Sequence, residues 1–484
     1  MLRPSGVGGR VVKGAGYQFL GIATKTVLTI GSTAVLARLL SPSDFGYVAM
    51  ATVVTEFAAL FSSFGFTNVL IQKRTINRLQ CDTVFWATLG IGSLIAFGVF
   101  LASFFAGLLF ADARVSPLLR VMSVIFVLNS LSAVPSTVMA RLMLFRAGLW
   151  ISLSTIILRT VVAIGCALAG MGLWSLVIGS VAGALGHALL AFAWVNYRPR
   201  FRFHTPLLKE SWRISGGYFG NTALYYVNNN LDLLLVGRQL GAVPLGLYQN
   251  ARSLTDEIRG RIAVPIEHVL FPAMSSMQAD PDGFRRLVLR AGRMMAAVVV
   301  PIGFGVSVNA RELVQVLYGP QWLQMIPVMS MFGISAALKA GTAIATPLFY
   351  ATNQVGLAFR NNVVGTALLI GGVLLTMQHG LEAVAVAVAA SSLYSLVGFR
   401  LAFSLIDLTL RDAASVVGPP FLASAALWVV TYLVRDAGWS TTPGVALAGH
   451  ILVGATTYLL CLHVLSRQYL QDFKQAGAML LKRT

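Results

Sequence analysis

Charge is what this sequence has least of. Asp, Glu, Lys and Arg together make up 11% of its 484 residues, against about 25% in a soluble domain. Too few ionisable groups remain to coat a water-facing surface, which excludes an ordinary soluble fold. Acid is the scarcer sign: 17 Asp and Glu stand against 36 Lys and Arg, a formal net charge of +19. Cysteine is nearly absent. Cys81, Cys166 and Cys461 lie far apart and give neither a disulfide framework nor a metal-binding spacing. The six histidines form no metal or catalytic constellation, and His187 reads as a packed helix residue. A Gly-rich phosphate loop and paired carboxylates in a long outer loop are also missing. A membrane polysaccharide polymerase or lipid-sugar glycosyltransferase would need such features.

What fills the chain instead is apolar, with 57% hydrophobic residues and a mean hydropathy of +0.77. Fourteen apolar runs follow one another, at roughly 14–37, 46–70, 83–110, 117–140, 149–170, 173–196, 215–237, 247–273, 291–310, 322–350, 360–378, 381–403, 416–434 and 443–465, each near or above the ~20 residues that cross ~30 Å of hydrocarbon. The chain therefore reads as an all-α polytopic membrane protein with about 14 transmembrane helices. Met1 to Lys13 is basic and Gly-rich. The run behind it is long enough to remain as a span, so no cleaved signal is expected.

The eighth run carries Arg252, Asp256, Glu257, Arg259, Arg261 and Glu267, and alone it reads as an amphipathic helix on the membrane surface. Loop charge decides for a crossing. With all runs spanning and the N-terminus inside, the outer segments hold only Arg38, Arg114, Arg120, Arg238, Arg311 and Arg435. Remove the eighth crossing and every later loop changes side, which places Arg360, Arg400, Arg411 and the basic 474–483 tail outside, against the positive-inside rule. The net charge is thus mainly an orientation signal. Basic residues spread over loops and tails leave no nucleic-acid footprint, while anionic lipid headgroups attract them.

The chain also repeats itself. At a shift of 200, Gly16, Arg38, Leu40 and Gly46 fall on Gly216, Arg238, Leu240 and Gly246. Leu109-Phe110 matches Leu317-Tyr318, Met122-Ser123 matches Met329-Ser330, and Gly172-Leu173 matches Gly380-Leu381. Pro135 precedes Arg141 as Pro347 precedes Asn353. Six helices separate a feature from its copy, so both copies have the same orientation. The expected architecture is two parallel six-helix lobes around a central cavity plus two extra C-terminal helices. The boundaries are 1–196 for the first lobe, 197–214 for a basic cytoplasmic linker with room for a surface-lying helix, 215–404 for the second lobe, and 405–484 for the remainder.

Four segments carry a family likeness: ARLLSPSDFGYVAM (Ala37 to Met50), PSTVMARLMLFR (Pro135 to Arg146), GMGLWSLVIG (Gly170 to Gly179) and GLYQNARSL (Gly246 to Leu254). The sequence resembles the Wzx-like polysaccharide flippases of the MOP superfamily over about its first 400 residues. That resemblance implies a transporter moving undecaprenyl-pyrophosphate-linked oligosaccharide outward across the bacterial inner membrane, with both termini cytoplasmic. Its partners would be the lipid-linked oligosaccharide, membrane lipids, and other assembly proteins such as a polymerase and a chain-length regulator. No cofactor is implied, and H⁺ and Na⁺ both stay open as coupling ions. The same scaffold serves multidrug and other small-molecule exporters, which stand as the alternative.

A lipid-linked sugar head has to cross hydrocarbon in a wet cavity with cations for its phosphates. An ionisable group at mid-span costs roughly 2.5–3.5 kcal/mol, so those present should face that cavity. Candidate substrate-binding residues are Lys25, Arg252, Arg259, Asn228, Arg159 and Lys339; Glu56, Asp232 and Asp256 are candidates for ion coupling or charge pairing. Asn221, Tyr225, Asn228 and Asp232 form a stripe on one helical face. Lys25 and Glu56 could pair across neighbouring helices. Arg252 with Asp256 and Glu257 with Arg261 are neutralising i,i+4 pairs, which leaves Arg259 as the cation without a local acid.

The topology is open to direct test. Cysteine labelling with an impermeant reagent should modify Ser43→Cys, Val115→Cys and Gly241→Cys from outside. A labelled Ser43→Cys beside a protected Gly241→Cys contradicts the assigned crossings.

Overall fold

The structure, a computed structural model, describes the backbone of residues 7–62, 67, 70–71, 73, 76–203, 226–227, 229–277, 280–438, 442–466 and 469. The side chains of 7–20, 23, 261–269, 271–273, 275–276 and 342–343 also lie outside the described set. Among the described residues all regular structure is helical. In chain order the long helices are α1 (Val7–Leu39), α2 (Pro42–Ser62), α3 (Arg78–Phe110), α4 (Val115–Arg141), α5 (Phe145–Leu168), α6 (Trp174–Val195) and α7 (229–240). There follow α8 (Ala242–Ser276), α9 (Pro281–Val308), α10 (Pro320–Ala351), α11 (Val355–His379), α12 (Leu381–Ser404), α13 (Leu410–Asp436) and α14 (Pro443–Leu465). Eleven of these are long and apolar enough to cross a membrane. The chain is a multi-pass membrane protein.

Helix α8 is not among the eleven, because its charges lower its hydropathy. It is nevertheless one unbroken helix of 35 residues, roughly 50 Å long at 1.5 Å per residue. Helix starts are set by side-chain caps. Asn77 and Gln80 form a capping box at the start of α3, and Thr409 and Asp412 form another at α13. Asp280 caps α9 by accepting from the Gly283 amide at 2.9 Å, ahead of Pro281 in the first turn. The Asp280-Pro281-Asp282 run is thus a helix start.

The chain divides into two compact units, Met1–Gly246 and Leu247–Thr484. In the first, α5 packs most extensively on α6, α3 on α4, and α4 on α6. Three glycines of α6 make the first contact close: a Cβ on Gly179 would meet the Arg159 carbonyl oxygen at 2.8 Å, while Gly183 and Gly186 face Arg159 and Leu158. Small residues at helix interfaces bring backbones together where no hydrophobic effect separates helix from lipid. The start of the basic linker is tied to α3, since Tyr197 donates to Asp82 Oδ1 at 2.7 Å and Trp86 to the Arg200 carbonyl at 2.9 Å. The surface helix expected within 197–214 lies, from residue 204 on, outside the described residues.

Between α3 and α4, Asp112 accepts from Tyr47 of α2 at 2.9 Å and from Arg114 Nη2 at 2.9 Å. The Arg114 guanidinium lies over the Tyr47 ring, 4.4 Å from its centroid. These Arg114 hydrogen bonds hold the Asp112 carboxyl below its ordinary range.

In the second unit, α9 packs on α13 and α10, and α13 on α14. Gly303 of α9 and Gly333 of α10 face each other reciprocally. A Cβ on either would stand 2.6 Å from the other's carbonyl oxygen. Behind this contact Ala297, Val308, Ala423, Leu427, Tyr458 and Leu462 form the core that joins α9 to α13 and α14.

The repeat read in the sequence reappears in the backbone. Left-handed residues Ala111, Met143, Gly172 and Asn196 recur as Gly319, Asn353, Gly380 and Asp407, each pair 208 to 211 positions apart. The helices therefore break at corresponding places in both copies. The first copy uses a residue with a Cβ at 111 where the second uses glycine, so position and not residue type is what repeats. Gly46 and Gly246 take part in a second reciprocity. A Cβ on Gly46 would collide with the Ala242 carbonyl oxygen, and a Cβ on Gly246 with the Pro42 carbonyl oxygen. Pro42 and Ala242 are themselves 200 residues apart, as the two glycines are.

The Gly303–Gly333 contact makes a stability prediction with an internal control. Gly303→Ala should lower stability by about 1–3 kcal/mol, the range for overpacking a closed contact. Gly305→Ala on the same helix meets nothing within 4 Å and should be neutral or gain up to about 1 kcal/mol from helix propensity. Thermal unfolding of both variants in detergent separates the two; equal losses contradict the packing argument.

Candidate functional site

Each unit carries its own set of mid-span charges, and the first set begins on α1. Lys25 is half-buried there and lines a cavity of about 420 Å³ with Ser136 and Met139 of α4, Leu149 and Ser152 of α5, and His187 of α6. The walls are mostly apolar. Ser152 Oγ is satisfied by the Gly148 carbonyl at 2.8 Å, whereas Ser136 Oγ is buried with no hydrogen-bond partner. His187 lines the same cavity as Lys25. No sequence signal links the two, because they come together only when α1 and α6 meet around α4 and α5.

The other first-unit candidates are on different surfaces. Glu56 is exposed on α2. Its flanking residues Val53 and Phe57 are both touched by Tyr226, which donates to the Val53 carbonyl at 2.8 Å and lies 6.0 Å from the Phe57 ring centroid. The chain entering α7 therefore runs beside the turn that holds Glu56. Asp232, one and a half turns further along, is buried at 4% exposure. Asn228, with Asn221 and Tyr225 of the same stripe, lies outside the described residues. Arg159 is on the exposed side of α5, against Gly183 of α6, and does not line the Lys25 cavity.

In the second unit the charges concentrate on α8. Asp256 stands between two arginines on one helical face. Its Oδ2 is 3.5 Å from Arg252 Nε, four residues back, and its Oδ1 is 3.6 Å from Arg259 Nη2, three residues on. The expectation that Arg259 has no local acid is therefore corrected: i,i+3 spacing brings Asp256 within reach, as i,i+4 spacing does for Arg252. One carboxylate serves two guanidiniums. Both separations exceed the 2.7–2.9 Å of a direct charge-assisted hydrogen bond. Arg259 Nε is buried without a hydrogen-bond partner, and Asp256 is about half exposed, at 48%. Arg261 and Glu267 have side chains outside the described residues. Lys339 is half-buried where α10 tightens over Lys339–Gly341.

Comparison with known proteins follows from this geometry. The family model described as "Polysaccharide biosynthesis protein" matches residues 35–327, a stretch that includes α8 and its charges. The succinoglycan biosynthesis transport protein ExoT of Rhizobium meliloti (strain 1021) is 26% identical over 349 residues, 72% of this chain and 71% of its own length. The lipopolysaccharide biosynthesis protein WzxC of Escherichia coli (strain K12) is 25% identical over 373 residues, 75% of each chain. Among solved structures, the lipid II flippase MurJ in an inward closed conformation aligns with a TM-score of 0.74 at 14% identity, over 95% of this chain and all of that one. An inward-facing multidrug resistance MATE family transporter of the MOP superfamily aligns with a TM-score of 0.62 at 12% identity. The two solved structures establish the MOP fold. With the family model matching more than half of its length, the chain belongs to the polysaccharide biosynthesis protein family.

Proposed function

We propose that this protein is a flippase. It carries lipid-linked oligosaccharide repeat units on undecaprenyl pyrophosphate across the bacterial inner membrane, for surface polysaccharide biosynthesis. Family membership supports the reading, as do relatives whose names place them in succinoglycan and lipopolysaccharide biosynthesis. The observation that carries it is the Arg252–Asp256–Arg259 group on α8. A cationic drug needs acid in its path; a diphosphate needs cations that are not already neutralised. The Arg259 guanidinium, whose buried Nε has no hydrogen-bond partner, suits the diphosphate.

On this reading Arg259 and Arg252 grip phosphate oxygens, a task for which the planar guanidinium fork is better shaped than an ammonium. Lys25 and Asn228 line the path of the head group, with Arg159 and Lys339 as further cations. Glu56, Asp232 and Asp256 balance these cations or bind the coupling ion, H⁺ or Na⁺. The lobes 1–196 and 215–404 alternate in access, the segment 197–214 links them in the cytoplasm with both termini, and 405–484 is an addition. A polymerase and a chain-length regulator would receive the exported unit.

The test is export of surface polymer by cells carrying substituted chains, with membrane levels checked by blot. Arg259→Ala should insert normally and lose export by roughly 10- to 100-fold, the rate equivalent of a charged hydrogen bond worth about 1.5–3 kcal/mol. Arg259→Lys keeps the charge without the fork and should retain part of the output. Normal export by Arg259→Ala at normal membrane level removes Arg259 from the site.

A further inference from the structure

Buried polar atoms without a hydrogen-bond partner are expensive in any protein and more so in a membrane. Twelve occur among the described residues, and five of them lie along one seam of the second unit. They are Asn309 Oδ1 and Glu312 Oε2 just beyond the end of α9, Ser424 Oγ and Thr431 Oγ1 on α13, and His450 Nδ1 on α14. The turn Ala310–Leu313 packs directly on α14, and a Cβ on Gly454, one turn beyond His450, would lie 3.1 Å from Thr431 Oγ1. The seam includes two titratable groups. His450 Nδ1 is 3.9 Å from Glu312 Oε1, with side chains 3% and 6% exposed. Neither residue belongs to the α8 group.

We propose that Glu312 and His450 together form a proton-binding site, with one exchangeable proton that makes transport depend on external pH. The argument is electrostatic. With no proton the pair is a bare buried carboxylate, and with two it is a bare buried imidazolium; either isolated charge costs several kcal/mol to bury. With one proton the pair is neutral overall, whichever atom carries it. Loading is a transfer from hydronium to Glu312 Oε2 or His450 Nδ1, releasing water, and unloading returns the proton to water. The neighbouring Arg311 is exposed, which puts the pair one residue from the protein surface.

Other charged and titratable groups stand on the elements packed around this pair. Arg435 of α13 donates to the Val308 carbonyl at 3.1 Å and lies over the Tyr432 ring. Asp436 is exposed. Tyr458 of α14 donates to the Ala297 carbonyl at 2.7 Å. Tyr318, after the α9 turn, is a phenol that burial pushes further up, so it stays protonated. No second carboxylate of α13 or α14 is buried in this seam among the described residues. Two ionisable groups that interact this closely titrate as a unit, so substituting one moves the midpoint of the other.

The site is tested on the full chain in phospholipid vesicles by infrared difference spectra between acid and alkaline pH. The unsubstituted protein should show a carboxyl or imidazolium band that Glu312→Gln abolishes. His450→Gln, or Glu312→Asp where the amide does not fold, should move the remaining midpoint by about one pH unit or more. Midpoints that stay put after either substitution overturn the site. The role in transport rests on the flippase reading and has its own arm. Polymer output should vary with external pH in unsubstituted cells and lose that dependence in Glu312→Gln. Arg259→Ala should lose output yet keep the spectral coupling. An unchanged pH dependence in Glu312→Gln overturns the role while leaving the flippase reading untouched.

Discussion

A charge held in hydrocarbon costs several kcal/mol unless something answers it, and the arrangement of this chain's few ionisable groups follows from that cost. On α8 one aspartate answers two arginines. Near the end of α9 one glutamate faces one histidine at 3.9 Å, and the protonation of the pair sets its net charge. Between α3 and α4, Asp112 and Arg114 pair at 2.9 Å, and the Arg114 guanidinium lies over the Tyr47 ring. The α8 group lies in the stretch that matches the family model.

Glycine does for the helices what pairing does for the charges. Hydrophobic burial gives no preference for helix over lipid, so the close approaches at Gly179 and Gly183, at Gly303 and Gly333, and at Gly46 and Gly246 provide much of the packing. Two of these are reciprocal, each glycine receiving a carbonyl oxygen from the other's neighbourhood. Such contacts are tight yet carry few interlocking side chains.

Much of this was legible in the sequence. The last apolar run, 443–465, coincides with α14, and the matches of Leu109-Phe110 with Leu317-Tyr318 and of Gly172 with Gly380 mark places where the backbone turns left-handed or breaks. These features are local: hydrophobic length sets a helix, and a glycine or a short polar turn ends it. The candidate site was legible only in part. Counting i,i+4 neighbours found Arg252 with Asp256 and overlooked the i,i+3 reach of Arg259, although both spacings were in view. His187 and Lys25, or Glu312 and His450, are more than a hundred residues apart, and only tertiary packing brings them together. Periodicity holds no trace of such pairs.

The central claim is that the head group of a lipid-linked oligosaccharide crosses the membrane through this protein. The direct measurement is enzymatic or lectin access to lipid-linked repeat units at the outer face of spheroplasts whose polymerase is blocked, with and without the chain. The account predicts outward-facing units when the protein is present, and units that accumulate only inside when it is absent. Equal outer access in both would contradict it.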